Sequence, residues 1–124
     1  MMQTMSTQIT YNIQPSMKQS VGLQKNRDKL ISEVVDSSLS CFGNPFKQYV
    51  YSKLDKKYQI KKQEIPSRIS DFADALEDIF GAGAKLIEMR IIQDLHEKAQ
   101  GFVYVPSGDD LVFTEYVENL RQFP

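Results

Sequence analysis

Apolar residues recur at helical spacing along most of the chain, and glycine or proline marks the gaps between the stretches. Leu30, Ile31, Val34, Val35, Leu39 and Phe42 repeat every three or four positions, while Lys29, Glu33 and Asp36 take the other face. This pattern predicts an amphipathic helix, with Asn26 as a cap near its start. Gly43-Asn44-Pro45 stops it and opens the next, with Pro45 at the first helical position, where its missing N–H costs nothing. The second helix is expected to bury Phe46, Tyr49, Val50, Leu54 and Tyr58, with Lys53, Lys56 and Lys57 on or beside its wet face. In the connection QIKKQEIPSR, Pro66 biases Ile65 away from helix, and Ile60 and Ile65 are expected to pin the loop to the core.

Ser70 stands where the N-cap of a third helix is expected, with Asp71 and Asp74 in its first turn. Phe72, Ala75, Leu76, Ile79 and Phe80 form its stripe. Gly81 is expected to end it in a left-handed conformation, and Gly83 to ease the turn. A fourth helix over 82–98 buries Ala84, Ile87, Ile91, Ile92 and Leu95. Residues 102–105, Phe-Val-Tyr-Val, read as an extended segment lying on the core. Leu111-Val112-Phe113 is open to a return strand, but Phe113, Tyr116, Val117 and Leu120 favour a fifth helix over 109–122, with Asp109 and Asp110 at its start and Arg121 at its end. Residues 1–22, rich in Met, Gln, Ser and Thr, show no helical stripe and read as a flexible tail; alternation of Ile9, Tyr11 and Ile13 allows a short extended piece within it. The expectation is an all-α fold: a flexible tail over 1–22 and a single domain over 23–124, a compact bundle of about five helices. Phe42-Gly43, Lys47, Tyr49 and Leu54 echo Phe80-Gly81, Lys85, Ile87 and Ile92 at an offset of 38 positions, which suggests two helical hairpins with pseudo-twofold similarity.

With 124 residues the chain suffices for one core, and a net charge of -1 supplies no global field for nucleic acid or anionic membrane. No apolar run approaches the roughly 20 residues of a membrane helix. No basic region followed by an apolar core opens the sequence, so a cytoplasmic setting without membrane contact is expected. The single cysteine, Cys41, excludes an intrachain disulfide.

Residue types that carry chemistry are sparse. Gly81-Ala82-Gly83-Ala84-Lys85 invites comparison with a phosphate-binding loop, but the spacing is wrong, Leu86 follows the lysine and a helix precedes the glycines. His96 is the only histidine, so no metal ligand set forms, and it reads as a helix-end residue favouring the C-terminal dipole. Cys41 reads as a small core or boundary residue. Asp71, Asp74, Glu77 and Asp78 line one helix face as a solvated surface rather than paired catalytic carboxylates. No cofactor and no catalytic residue is expected. A ligand carrier would need Phe46, Tyr49, Tyr51, Tyr58 and Phe80 to line a pocket rather than the core.

Charge is segregated. Residues 45–68 carry +5, from Lys47, Lys53, Lys56, Lys57, Lys61, Lys62 and Arg68 against two acids, and residues 69–97 carry −5. Lys53, Lys56, Lys57, Lys61, Lys62 and Arg68 are therefore the candidate surface for an acidic protein partner, or for head-to-tail self-association into a homo-oligomer. The opposing reading is mutual compensation between neighbouring helices. A DNA-binding regulator using the basic second helix and the following loop is the alternative, because the helix after Gly81 is net acidic and offers only Arg90 as a base reader.

The runs FGNPFKQYVYSKLDKKYQIKKQEIP and SDFADALEDIFGAGAKLIEMRIIQDL resemble the Nitrosopumilus output domains, the fifth of that series. Tyr58, Ile60, Ile65, Pro66, Phe72, Ala75, Leu76, Ile79, Phe80, Gly81, Gly83, Ala84, Lys85, Glu88 and Leu95 carry the resemblance over residues 30–98, and Ile79–Lys85 is its most specific part. The resemblance implies an archaeal cytoplasmic domain that passes a signal to protein partners, with no catalytic residues to carry over. Phe72, Leu76, Phe80, Gly81, Gly83, Lys85 and Glu88 are its motif positions.

Overall fold

The computed structural model describes residues 16–106, 108 and 111–123, with side chains from Lys25 onward. Among them are five α-helices and no strand: α1 (Ser16–Ser40), α2 (Asn44–Tyr58), α3 (Ile69–Phe80), α4 (Ala84–Lys98) and α5 (Phe113–Gln122). Single 3-10 turns at Lys62–Glu64, Pro66–Arg68 and Gly81–Gly83 join α2 to α3 and α3 to α4. The all-α expectation holds. Helix α1 touches α2, α4 and α5, and α3 and α4 touch each other and α5, so the helices enclose one core.

That core is the set of apolar stripes. Ile31, Val34, Val35 and Leu39 from α1, Val50 and Leu54 from α2, Phe72 and Leu76 from α3, and Ile91 and Leu95 from α4 are all at most 1% exposed. Val117 and Leu120 of α5 are fully buried with them. Each such side chain contributes about 1.5–3 kcal/mol relative to exposure. Ile60 and Ile65, both 1% exposed, do pin the connection between α2 and α3.

The corners follow local chemistry. Gly43, at φ 111, reverses the chain before α2, and proline sits in that helix's first turn. Gln59 closes α2 in the left-handed conformation (φ 55, ψ 42), and the Ile60 N–H returns to the Leu54 carbonyl at 2.9 Å. Gly81, at φ 58 and ψ −129, ends α3 in a region closed to L side chains. Arg121 grips Asp28 at 2.7 Å, and Arg27 donates to the Phe123 carbonyl at 3.3 Å, fastening α5 to α1.

Several boundaries and faces differ from expectation. Helix α1 begins at Ser16, so Asn26 is interior to it and the backbone over 16–22 is helical rather than a tail; residues 1–15 lie outside the described set. Once a helix is nucleated, each added residue gains a hydrogen bond at little further cost. Ser70 is the second residue of α3, not its cap, because the Pro66–Arg68 turn runs directly into the helix. Ile65 is helical (φ −54, ψ −47) despite Pro66, held by the turns on either side and by burial of its side chain. Tyr49 is 48% exposed, since Phe46, Val50 and Leu54, four apart, take the inward line. Helix α4 begins at Ala84, and α5 begins at Phe113 rather than 109. Asp109 and Asp110 lie outside the described residues.

Candidate interaction surface

The basic segment is largely neutralised within the chain. Lys57 lies 3.6 Å from Asp78, Lys61 2.9 Å from Asp55, and Lys62 3.1 Å from Asp36. The Tyr58 hydroxyl also donates to Asp78, and with Lys57 it holds that carboxyl below its usual range. Arg68 is a structural knot: it donates to the Gln59 carbonyl at 2.6 Å, securing the left-handed cap, and to Asp71 at 3.1 Å. Lys53 lies over the Tyr49 ring at 6.0 Å, and Lys56 has no ion pair among the described residues. Of the six predicted surface cations, only Lys53 and Lys56 thus have no carboxylate partner there.

Asp36 of α1 is the hub of this compensation. It accepts from Tyr51 at 3.0 Å, Lys47 at 3.4 Å and Lys62 at 3.1 Å. Burial raises its pKa, but the hydrogen bonds from Lys62, Tyr51 and Lys47 outweigh that and hold the carboxyl below its usual value. Burial, together with the same carboxylate, pushes the Tyr51 phenol far above the ordinary range.

The motif positions divide by role. Phe72 and Leu76 are fully buried, and Phe80 stacks on Phe46 with centroids 5.3 Å apart. Gly81 turns the corner at positive φ but at ψ −129 rather than in the left-handed helical region expected, Gly83 has ordinary helical angles, and Lys85 is exposed on the first turn of α4. Glu88 is half-buried, and desolvation raises its carboxyl pKa against the opposing charge of Lys85. Lys85 and Glu88 line a recess of about 330 Å³ with Met89, Ile92 and Leu111.

Met89, Ile92 and Leu111 also line a larger, neighbouring groove of about 850 Å³ between α4 and the chain that follows it. Leu86, Met89, Gln93 and His96, spaced three and four apart on α4, form one wall; Phe102, Val103, Tyr104 and Leu111 form another, with Tyr116 and Phe42 adjoining. Leu86 is 70% exposed, Met89 56%, Val103 78% and Leu111 40%. Contiguous exposed apolar surface of this kind marks binding sites far more often than scattered single residues do. Sequence reasoning missed the groove. The inward stripe of α4 accounted for its fold, and the leftover pair Leu86 and Met89 was the available signal.

Polar groups in the groove are few. The Tyr116 hydroxyl is buried and has no hydrogen-bond partner among the described residues, and burial raises its pKa. The Tyr104 hydroxyl donates to Glu115, which raises the Tyr104 pKa. Arg90 donates to Asp94 at 3.1 Å and to the Cys41 sulfur at 3.3 Å, and the buried Ser38 hydroxyl donates to the same Asp94 at 2.7 Å. Cys41 is exposed rather than a core or boundary residue, because α1 ends one residue before it. His96 is exposed in the last turn of α4, as its helix-end reading requires. The aromatic set read as a possible pocket (Phe46, Tyr49, Tyr51, Tyr58, Phe80) contributes nothing to this groove. Among the described residues no group of three or more His, Cys, Asp or Glu is placed to hold a metal, and no helix is long and apolar enough to cross a membrane.

No family model, curated protein or solved structure matches this chain.

Proposed function

We propose that the chain is a non-enzymatic interaction module whose α4 face docks a protein partner, as a signalling output domain would. One observation carries the reading: Leu86, Met89, Val103 and Leu111, all exposed, come from three separate stretches and border one groove. The resemblance over residues 30–98 supports the same role, that of an archaeal cytoplasmic domain passing a signal onward. Two hairpins related by a pseudo-twofold would serve it as a rigid support. The in-chain pairing of Lys57, Lys61, Lys62 and Arg68 favours a protein partner over DNA, since phosphate binding draws on cations free to release counterions.

The deciding experiment compares partner capture from the native extract by three forms: wild type, Leu86→Asp/Met89→Asp, and Lys53→Glu/Lys56→Glu. Loss of a specific partner in the α4 form alone is the expected result. Equal capture by all three removes the α4 face from the proposal. Salt-dependent retention of duplex DNA at low ionic strength, lost in the lysine form, would favour the DNA-binding reading instead.

A further inference from the structure

The chain leaving α4 has a conformation that the helical core does not use. Gly101, at φ 81, turns the backbone, and Pro106 stands five residues on. Between them Phe102 is buried at 8% exposure and Tyr104 half-buried, while Val103 and Val105 are 78% and 76% exposed. In–out alternation is the side-chain period of an extended chain. Among the described residues the backbone of Val103 and Val105 makes no hydrogen bond; the segment's one backbone bond runs from the Phe102 N–H to the Ala99 carbonyl at 3.4 Å. Phe102, Val103 and Tyr104 of this unpaired stretch line the groove wall.

We propose that residues 102–105 form an edge to which an extended segment of a partner protein adds as a β-strand, with alternate apolar side chains of that segment filling the groove against Leu86 and Met89. This deepens the interaction reading and rests on it. Strand addition divides the work as the surface here does: main-chain bonds supply affinity and alternate pockets supply selectivity. Proline lacks the N–H that would extend the ladder, so Pro106 limits pairing to about four residues, roughly 13 Å of strand. No carboxylate lines the groove, and Arg90 on its α4 wall is already paired with Asp94 at 3.1 Å, so apolar side chains set the selectivity. The fitting segment therefore alternates apolar residues with outward-facing polar ones.

The test pans a phage-displayed random dodecapeptide library on the full chain, with counter-selection on Leu86→Asp/Met89→Asp. The recovered peptide is then titrated by fluorescence anisotropy. Strand addition expects recovered peptides with apolar residues at every second position. It also expects N-methylation of the amides facing residues 102–105 to weaken binding by about tenfold or more, while methylation of outward amides changes it by less than about twofold. Val103→Pro, at an exposed position, should reproduce the tenfold loss, and amide exchange at Val103 and Val105 should slow on binding. Recovered peptides with helical i, i+3, i+4 spacing, indifference to all methylations, or unprotected amides overturn strand addition and leave α4 as a docking face. Failure to enrich any peptide over the double variant overturns both.

Discussion

Gly81 and Gly83 lie two residues apart in the same corner, yet alanine should act on them with opposite signs. Gly81 has φ 58 and ψ −129, and a Cβ built there meets nothing within 4 Å. Its penalty is therefore purely one of backbone conformation, about 1–3 kcal/mol for a residue forced into such a region. Gly83 has φ −66 and ψ −19, ordinary for any L residue, and its Cβ would touch only the Phe80 Cβ at 3.7 Å. There alanine removes unfolded-chain freedom and should stabilise by about 0.4–1 kcal/mol. In a domain of about this size, 1 kcal/mol moves Tm by roughly 4–8 °C. Gly81→Ala should thus lower Tm by about 5–20 °C, and Gly83→Ala should raise it by a few degrees. Thermal and urea unfolding followed by far-UV circular dichroism measures both. The reasoning fails if Gly81→Ala melts with the wild type, or if Gly83→Ala loses as much as Gly81→Ala does.

Three further outcomes follow from the side chains. Ser38→Ala deletes the bond from a fully buried hydroxyl to Asp94, which keeps Arg90 as a partner, so urea unfolding should show a loss of about 1–3 kcal/mol, and no loss would dismiss the clamp between α1 and α4. Asp36 has a folded pKa below its unfolded one, so its contribution is present above about pH 3.9 and lost as pH falls through the folded value. Accordingly, the stability gap between wild type and Asp36→Asn should be constant near neutrality and close in acid; a gap unchanged between neutral and strongly acidic pH would contradict the ion-pair hub. Tyr116→Phe removes a buried hydroxyl that pairs with nothing among the described residues, so it should leave the fold as stable or more stable by up to about 1 kcal/mol, and a clear loss in the same assay would mean that the hydroxyl is bonded.

Helical periodicity revealed what each helix buries, because a stripe three and four residues apart can face only one way. That is why Ile31, Val34, Val35 and Leu39, or Ile87, Ile91 and Leu95, were legible in advance. Boundaries were less so. Asn26 and Ser70 have the chemistry of caps, but nothing local reports that a preceding turn already runs into helix, as the Pro66–Arg68 turn does at Ile69. Tyr49 shows another limit: an aromatic residue one position from Val50 competes for the same inward line, and the smaller residue took it. The groove was illegible for a different reason. Its walls come from positions 42, 86–96, 102–104, 111 and 116, brought together only by the bundle, so no window of sequence contains it.

The most visible sequence feature, the +5 segment against the −5 segment, offers the proposed partner less than the α4 groove does, and the energetics explain why. Exposed ion pairs such as Lys57–Asp78 and Lys61–Asp55 are worth at most about 1 kcal/mol each, so a partner that replaced them would exchange one weak pair for another and gain little. The α4 face offers no such exchange. Leu86 and Met89 are 70% and 56% exposed, and covering what remains of each would contribute on the order of 1–2 kcal/mol without breaking anything already made. For the proposed association, free energy is therefore concentrated where the chain left apolar surface uncovered, not where it placed most charge. The lysine face is instead spent within the chain, where Lys47 and Lys62 meet Asp36 of α1 and Lys57 meets Asp78 of α3.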